Sequence, residues 1–256
     1  MNFLIVCIVA FLTSGLTLFS GFGLGTLLLP AMAIFFPIDT AIALTAIVHL
    51  LNNLFKFALL GRHADQATVL RFGLPAILAS LLGARLLLWL SDMQPLLMYE
   101  FLGRQFQITS VKLVVACLMV IFALFELLPR LAAISVEKKY LPLGGLLSGF
   151  FGGLSGHQGA LRSIFLLKAG LAKESFIATG VAITLLVDIP RVVVYSTSLP
   201  LLHGDGGLIL VAAVLAAFSG SYLGNRLLKK VTLRAIQVLV AIMLLVIATL
   251  LALGLV

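Results

Sequence analysis

Charge is what this sequence has least of. Of its 256 residues only 10% are Asp, Glu, Lys or Arg, and the carboxylates number nine. Soluble domains carry about 25% charged residues to cover their surface, so a water-soluble globular fold is excluded. Cysteine is nearly missing as well. Cys7 and Cys117 both sit in apolar runs, where two buried thiols are expected rather than a disulfide framework. The short alternating segments of a membrane β-barrel are absent. No Gly-Lys-Ser/Thr follows any glycine pair, which argues against a nucleotide-binding loop and ATP-driven transport by this chain alone.

What fills the chain is oil. Hydrophobic residues make up 62%, and the mean hydropathy is +1.24. A bilayer-spanning helix needs about 20 apolar residues, and lipid offers the backbone no partners, so long apolar runs must be helical. Hydropathy places them at 2–36, 40–60, 69–90, 109–128, 141–168, 173–197, 206–227 and 233–255. The expected class is an all-α polytopic membrane protein. The opening MNFLIVCIVAFLTSG lacks a basic flank and a cleavage-like site, so it reads as a retained part of the fold. The net charge of +8 sits in short loops between spans, which points to membrane orientation rather than nucleic acid. The longest loop of the first half is expected over 91–107.

The sequence repeats itself. LLGARLL places Gly83 and Arg85 where YLGNRLL places Gly224 and Arg226, and His63-x-Asp65 matches His203-x-Asp205. Ser14-Gly15, Gly25 and Thr45 match Ser148-Gly149, Gly159 and Thr179 with identical spacing. The organisation read from these landmarks is a first repeat over 1–128, a charged connection over 129–140 and a second repeat over 141–256. Loop charge chooses the relative orientation. If 1–36 and 141–168 each fold back as hairpins, Arg85, Arg104 and Lys112 face eleven basic residues on the other side, the sharpest split. Inverted repeats are expected, each opening with a glycine-rich broken helix or re-entrant hairpin followed by three transmembrane helices, with both termini periplasmic.

The stretch SGFFGGLSGHQG from Ser148 is the most informative. Gly145, Gly149, Gly152, Gly153 and Gly156 recur every three or four residues, so an unbroken helix would show a flat strip for packing. Packing does not account for Ser155, His157, Gln158 and Arg162 beside them. A central arginine in lipid is unfavourable by about 2.5–3.5 kcal/mol even on mild scales. A broken helix whose freed N–H groups meet an anion accounts for both features. Gly23 and Gly25, in SGFGLGT ahead of Pro30, form the first-half counterpart, without adjacent glycines.

Two polar stripes accompany these segments. Thr45, His49, Asn52, Asn53 and Lys56 share one helical face, which reads either as a substrate-facing wall or as an interhelical hydrogen-bond seam. Lys56 lies near the span's end, where it can also snorkel to the interface. Thr184, Asp188 and Arg191 share another face, with Asp188 and Arg191 spaced to pair. That pair reads as a clamp or as a proton or gating switch. Asp65 and Asp205 stand where helix N-caps belong, and the two His-x-Asp pairs make no metal site. No cofactor is expected.

Paired Ser-Gly-x-x-Gly-Gly-type segments opening each half of an eight-segment chain resemble the sulfite exporter TauE/SafE family of permeases. SGFFGGLSGHQGALRS is the clearest part, supported by LGARLL and LGNRLL. The resemblance implies transport of small anions such as sulfite, sulfonates or sulfoacetate across a bacterial inner membrane. Taken together, the residues point to a secondary transporter. Gly23, Gly25, Ser155, Gly156, His157, Gln158 and Arg162 would hold the anion, and His49, Asn52 and Asn53 would face it. Asp188, Arg191 and Lys56 are candidates for coupling or gating. The expected partners are the anion, the bilayer and coupled protons, and a homodimer is compatible. An anion channel, an intramembrane enzyme and a structural subunit remain alternatives.

Overall fold

A computed structural model describes residues 2–20, 24–101, 103–128, 135–197, 206–227 and 233–256. Within them the chain is helical almost throughout. The first half contains α1 (Asn2–Ser20), α2 (Leu24–Ala33), α3 (Ile38–Leu60), α4 (Gln66–Ser91) and α5 (Ser110–Leu127). The second contains α6 (Leu141–Ser155), α7 (Gly159–Leu166), α8 (Lys173–Ser196), α9 (Gly206–Leu227) and α10 (Leu233–Ala252). Among the described residues three helical stretches are long and apolar enough to cross a membrane: Ile38–His63, Gln66–Ser91 and Lys173–Ser196.

Local chemistry sets the boundaries. Asp65 caps α4, its carboxylate accepting from the Thr68 amide at 2.8 Å. Interaction with Thr68 holds that carboxyl below its ordinary range. Its counterpart Asp205 lies outside the described residues, as does His203. Pro142 lies in the first turn of α6, where its missing N–H costs nothing. Gly156 ends that helix in the left-handed conformation, φ +82°.

Two expectations are corrected here. The stretch expected as a loop over 91–107 holds a β-hairpin, β1 (Leu97–Phe101) and β2 (Arg104–Ile108), antiparallel with Tyr99 opposite Phe106. Their rings stack at 5.5 Å, and Tyr99 OH donates to the Leu253 carbonyl, so the hairpin covers the end of α10. Cys117, expected to be buried, is exposed on α5, and Cys7 is partly buried; both thiols are free. Periodicity alone does not separate a face turned to neighbouring helices from one turned outward.

Packing follows small residues. α6 lies along α4 in the same direction, with Gly145, Gly149 and Gly153 against the backbones of Phe72, Ala76 and Ser80. A Cβ at any of the three would collide with main chain. Lipid gives helices no hydrophobic reason to associate, so close backbone approach supplies the attraction. The strip is therefore a packing strip, and the polar residues follow it at a separate break. α1 packs extensively on α9, with Gly220 against the Phe11 carbonyl.

α3 and α8 pack antiparallel. His49 meets Asp188 toward one end, and the Asp65 amide just beyond α3 donates to Thr179 Oγ1 at 2.9 Å toward the other. α5 and α10 are also antiparallel, because Gly254 after α10 abuts Gln107 just before α5. On the outer face of α4, Leu70, Leu74, Leu78 and Leu82 are 56–64% exposed, at helical spacing. Immersing such side chains in water forfeits about 1.5–3 kcal/mol each, so this face belongs against lipid.

Candidate functional site

The site grows from the interruption of one helix. α6 stops at Ser155, the chain turns through Gly156, His157 and Gln158, and α7 starts at Gly159. α7 then folds back along α6: Gln158 lies beside Gly152, and the Phe165 ring covers Gly144. Ser148 Oγ donates to the Gln158 carbonyl at 3.2 Å and ties the turn to α6. A side chain at Gly156 would meet Arg191 Nη1 at 2.9 Å, so both space and backbone angle require glycine.

The two ends of the break are treated differently. The last carbonyls of α6 carry the negative end of its dipole; that of Gly152 accepts from the Gly156 amide at 3.0 Å, and those after it lack an intrahelical partner. Arg191 Nη1 donates to the Gly152 carbonyl at 3.0 Å, and Tyr195 OH donates to Gly153. A cation and a hydroxyl thus satisfy that end. The other end is the N-terminus of α7, where the amides of Gly159, Ala160 and Leu161 have no intrahelical acceptor. Arg162 follows one turn later, buried, with Nη1 on Thr184 Oγ1. Both features favour negative charge.

Asp188 lies at the centre of the polar interior and is fully buried. Its Oδ2 is 2.7 Å from His49 Nδ1. Its Oδ1 is 2.7 Å from Arg191 Nη2, an ion pair that lacks the alignment of a hydrogen bond, and accepts from Gln158 Nε2 at 3.3 Å. One carboxylate therefore joins α3, α8 and the break. His157 stacks on Phe122 of α5, rings 5.3 Å apart and nearly parallel, with Nδ1 3.1 Å from Ser155 Oγ. Its Nε2 is buried without a partner, as is Gln158 Oε1.

The first-half glycine segment reaches the same place. At Gly25, near the start of α2, an added Cβ would lie 3.6 Å from Thr45, 3.8 Å from His49 and 3.9 Å from the Gly156 carbonyl. Gly23 lies outside the described residues.

The expected site residues divide into groups. Gly25, His49, Ser155, Gly156, His157, Gln158, Arg162, Asp188 and Arg191 gather around the break. Lys56 is buried on the same side of α3 rather than snorkelling outward. Asn53 donates to the His49 carbonyl at 2.8 Å, within its own helix. Asn52 turns to a seam with Ser14 and Ser221, whose hydroxyls are 3.0 and 2.9 Å from its Oδ1.

Two participants escaped the sequence reading. Tyr195 continues the face of Thr184, Asp188 and Arg191, so extending that stripe by one turn would have found it. Phe122 is one aromatic in an apolar run and carries no signal. Among the described residues no three His, Cys, Asp or Glu side chains gather as a metal ion requires. In comparison with known proteins, a family model described as sulfite exporter TauE/SafE matches residues 6–251. No curated protein matches the chain.

Proposed function

The chain belongs to the sulfite exporter TauE/SafE family of membrane transporters, and from that premise we propose that it is a secondary transporter for a small sulfur-containing anion. Sulfite, an organosulfonate or sulfoacetate would cross the bacterial inner membrane by alternating access. The carrying observation is the break at Gly156–Gln158: α7 begins two residues after His157, whose Nε2 is buried and unpaired, and buried Arg162 follows one turn further on. Helix-end amides and a guanidinium recognise oxyanions through charge-assisted hydrogen bonds. Gly25 with the break would form the floor, and His49 and Asn53 the facing wall. Asn52 would steady that wall through its seam. Asp188, in contact with His49 and ion-paired with Arg191, would pass a coupled proton or register whether the site is filled.

Two repeats, 1–128 and 141–256 joined by 129–140, would rock against each other. Supporting this, the helix contacts map onto themselves when the halves are exchanged: α1 on α9 mirrors α6 on α4, while α3 and α8 pack together, as do α5 and α10. The antiparallel run of those last two pairs is what inverted repeats produce. With the basic side facing the cytoplasm, both termini fall in the periplasm.

Transport by purified protein in liposomes, with radiolabelled sulfite and sulfoacetate, tests the assignment. Arg162→Ala and His157→Ala are expected to abolish flux while the variants still insert and elute as folded protein. Normal flux from both removes the site.

A further inference from the structure

One buried hydroxyl stands unbonded where the first-half glycine segment meets the break. Thr45 is 4% exposed, and its Oγ1 has no hydrogen-bond partner among the described residues. Many hydroxyls in these helices turn back on their own backbone. Ser91, Ser155, Ser163, Thr184 and Thr249 each donate to the carbonyl four residues earlier. Thr45, with Ala41 four residues before it on α3, does not. A hydroxyl taken out of water forfeits its bonds there, so an orphaned one marks a place where a partner comes from outside the chain.

The surroundings of Thr45 say which partner. Its side chain lies against Gly25: a Cβ there would stand 3.6 Å from Thr45 Cγ2, 3.8 Å from His49 Cδ2 and 3.9 Å from the Gly156 carbonyl. Thr45 is about 6 Å, one turn, before His49 on the same face of α3. The other polar groups of that face have commitments. His49 Nδ1 is engaged by Asp188, Asn53 donates to the His49 carbonyl, and Asn52 Oδ1 joins Ser14 and Ser221. Beside Gly25, the Thr45 O–H is the α3 donor left to give.

We propose that Thr45 is the first half's direct ligand to the anion, its hydroxyl donating to an oxyanion oxygen while the break holds the same anion from the second half. The proposal rests on the transporter reading and adds a residue to it. A guest bonded to both halves at once favours the arrangement in which they close on it, which links their rocking to occupancy.

Calorimetric titration of the purified chain with sulfite and with sulfoacetate tests this. Thr45→Val puts a methyl in place of the hydroxyl. It is expected to weaken both anions about ten- to a hundred-fold, the usual yield of a hydrogen bond to a charged group. Without ligand the same variant should melt at or above wild type, because an unpaired buried hydroxyl has gone. Thr45→Ser keeps the O–H and should bind close to wild type. Thr45→Ala serves as the hydroxyl-free variant should the valine form fail to elute as folded protein. Unchanged binding without the hydroxyl, or an equal loss in Thr45→Ser, overturns the assignment and leaves the transporter reading standing. Ligand-free Thr45→Val melting well below wild type does the same, since the hydroxyl would then be bonded within the protein. A wild-type chain that binds neither anion and moves no sulfite in liposomes removes the transporter reading, and this proposal with it.

Discussion

Asp188 and His49 are 139 residues apart, yet their side chains meet at 2.7 Å through Oδ2 and Nδ1. With the carboxylate as acceptor, Nδ1 carries the proton and the imidazole's other edge turns toward Gly25 and the break. The contact ties one half of the chain to the other beside the glycine segments. A shift of the break therefore has a direct route to the α3–α8 pair, which joins the two halves.

Asp188→Ala strips His49 and Arg191 of their shared acceptor and strands a buried guanidinium. Removing one partner of such a pair typically costs about 3–5 kcal/mol, whereas removing both costs less. The single variant should melt well below wild type in detergent, and Asp188→Ala combined with Arg191→Leu should recover part of the loss. A double variant no more stable than the single one would show that Arg191 is not stranded by the loss of Asp188.

The Gly145–Gly149–Gly153 strip predicts a different kind of damage. A methyl at Gly149 would lie 2.6 Å from Ala76 Cα, so α4 and α6 must separate. Overpacking of this sort costs about 1–3 kcal/mol per site, so Gly149→Ala and Gly153→Ala should each lower the melting temperature. Gly103→Ala is the control: its φ is +71° but nothing lies within 4 Å. There only backbone strain is added, about 1–2 kcal/mol and local to the hairpin turn. Loss of transport with unchanged melting at Gly149 would refute the packing role.

These particulars show what the sequence could and could not carry. Helical positions, the glycine spacing and the Asp188–Arg191 pair are local patterns, and local patterns survive in a string of letters. The Asp65 cap was legible for the same reason. The β-hairpin was legible too, since Phe106 and Ile108 alternate with Gln105 and Gln107, but a short period-two run between long helices was passed over as loop. His49 on Asp188, Phe122 on His157 and Ser14 on Asn52 are long-range contacts, set by how helices cross rather than by any spacing within one. The stripe on α3 shows the limit best. Its five polar residues share a face, yet Asn52 serves a seam with α1 and α9 while His49 serves the break, a division that depends on which helices flank α3.

Asp65 offers a prediction outside the membrane-spanning segments. Its carboxylate accepts from the Thr68 amide, and that interaction holds its titration below the ordinary 3.8. A group depressed in the folded state adds stability above its unfolded value, and that stability is lost as pH falls through the lower, folded value. Asp65→Ala should cost about 1 kcal/mol at neutral pH, the usual worth of a cap, and Asp65→Asn far less. The gap in melting temperature between wild type and Asp65→Ala should hold steady down to about pH 4 and narrow below it. A gap that varies between pH 8 and 5 would assign the effect to another group.

The arrangement across the membrane can be tested without any substrate. α5 lies between Arg104 on the β-hairpin and Lys139 just before α6, and α10 runs antiparallel to it with its end against the hairpin. If the halves are inverted, the hairpin, the end of α10 and the start of α1 share one face. Lys139, the start of α8 and Arg62 share the other, together with most of the basic loop residues. The positive-inside tendency assigns that second face to the cytoplasm. In a background with Cys7 and Cys117 replaced by alanine, Arg104→Cys should react with an impermeant maleimide on intact spheroplasts. Lys139→Cys should react only after the membrane is opened. Reversed labelling would invert the assignment of faces but keep the symmetry. Labelling of both from the same side would mean that α5 does not cross, and parallel or incomplete repeats would replace inverted ones.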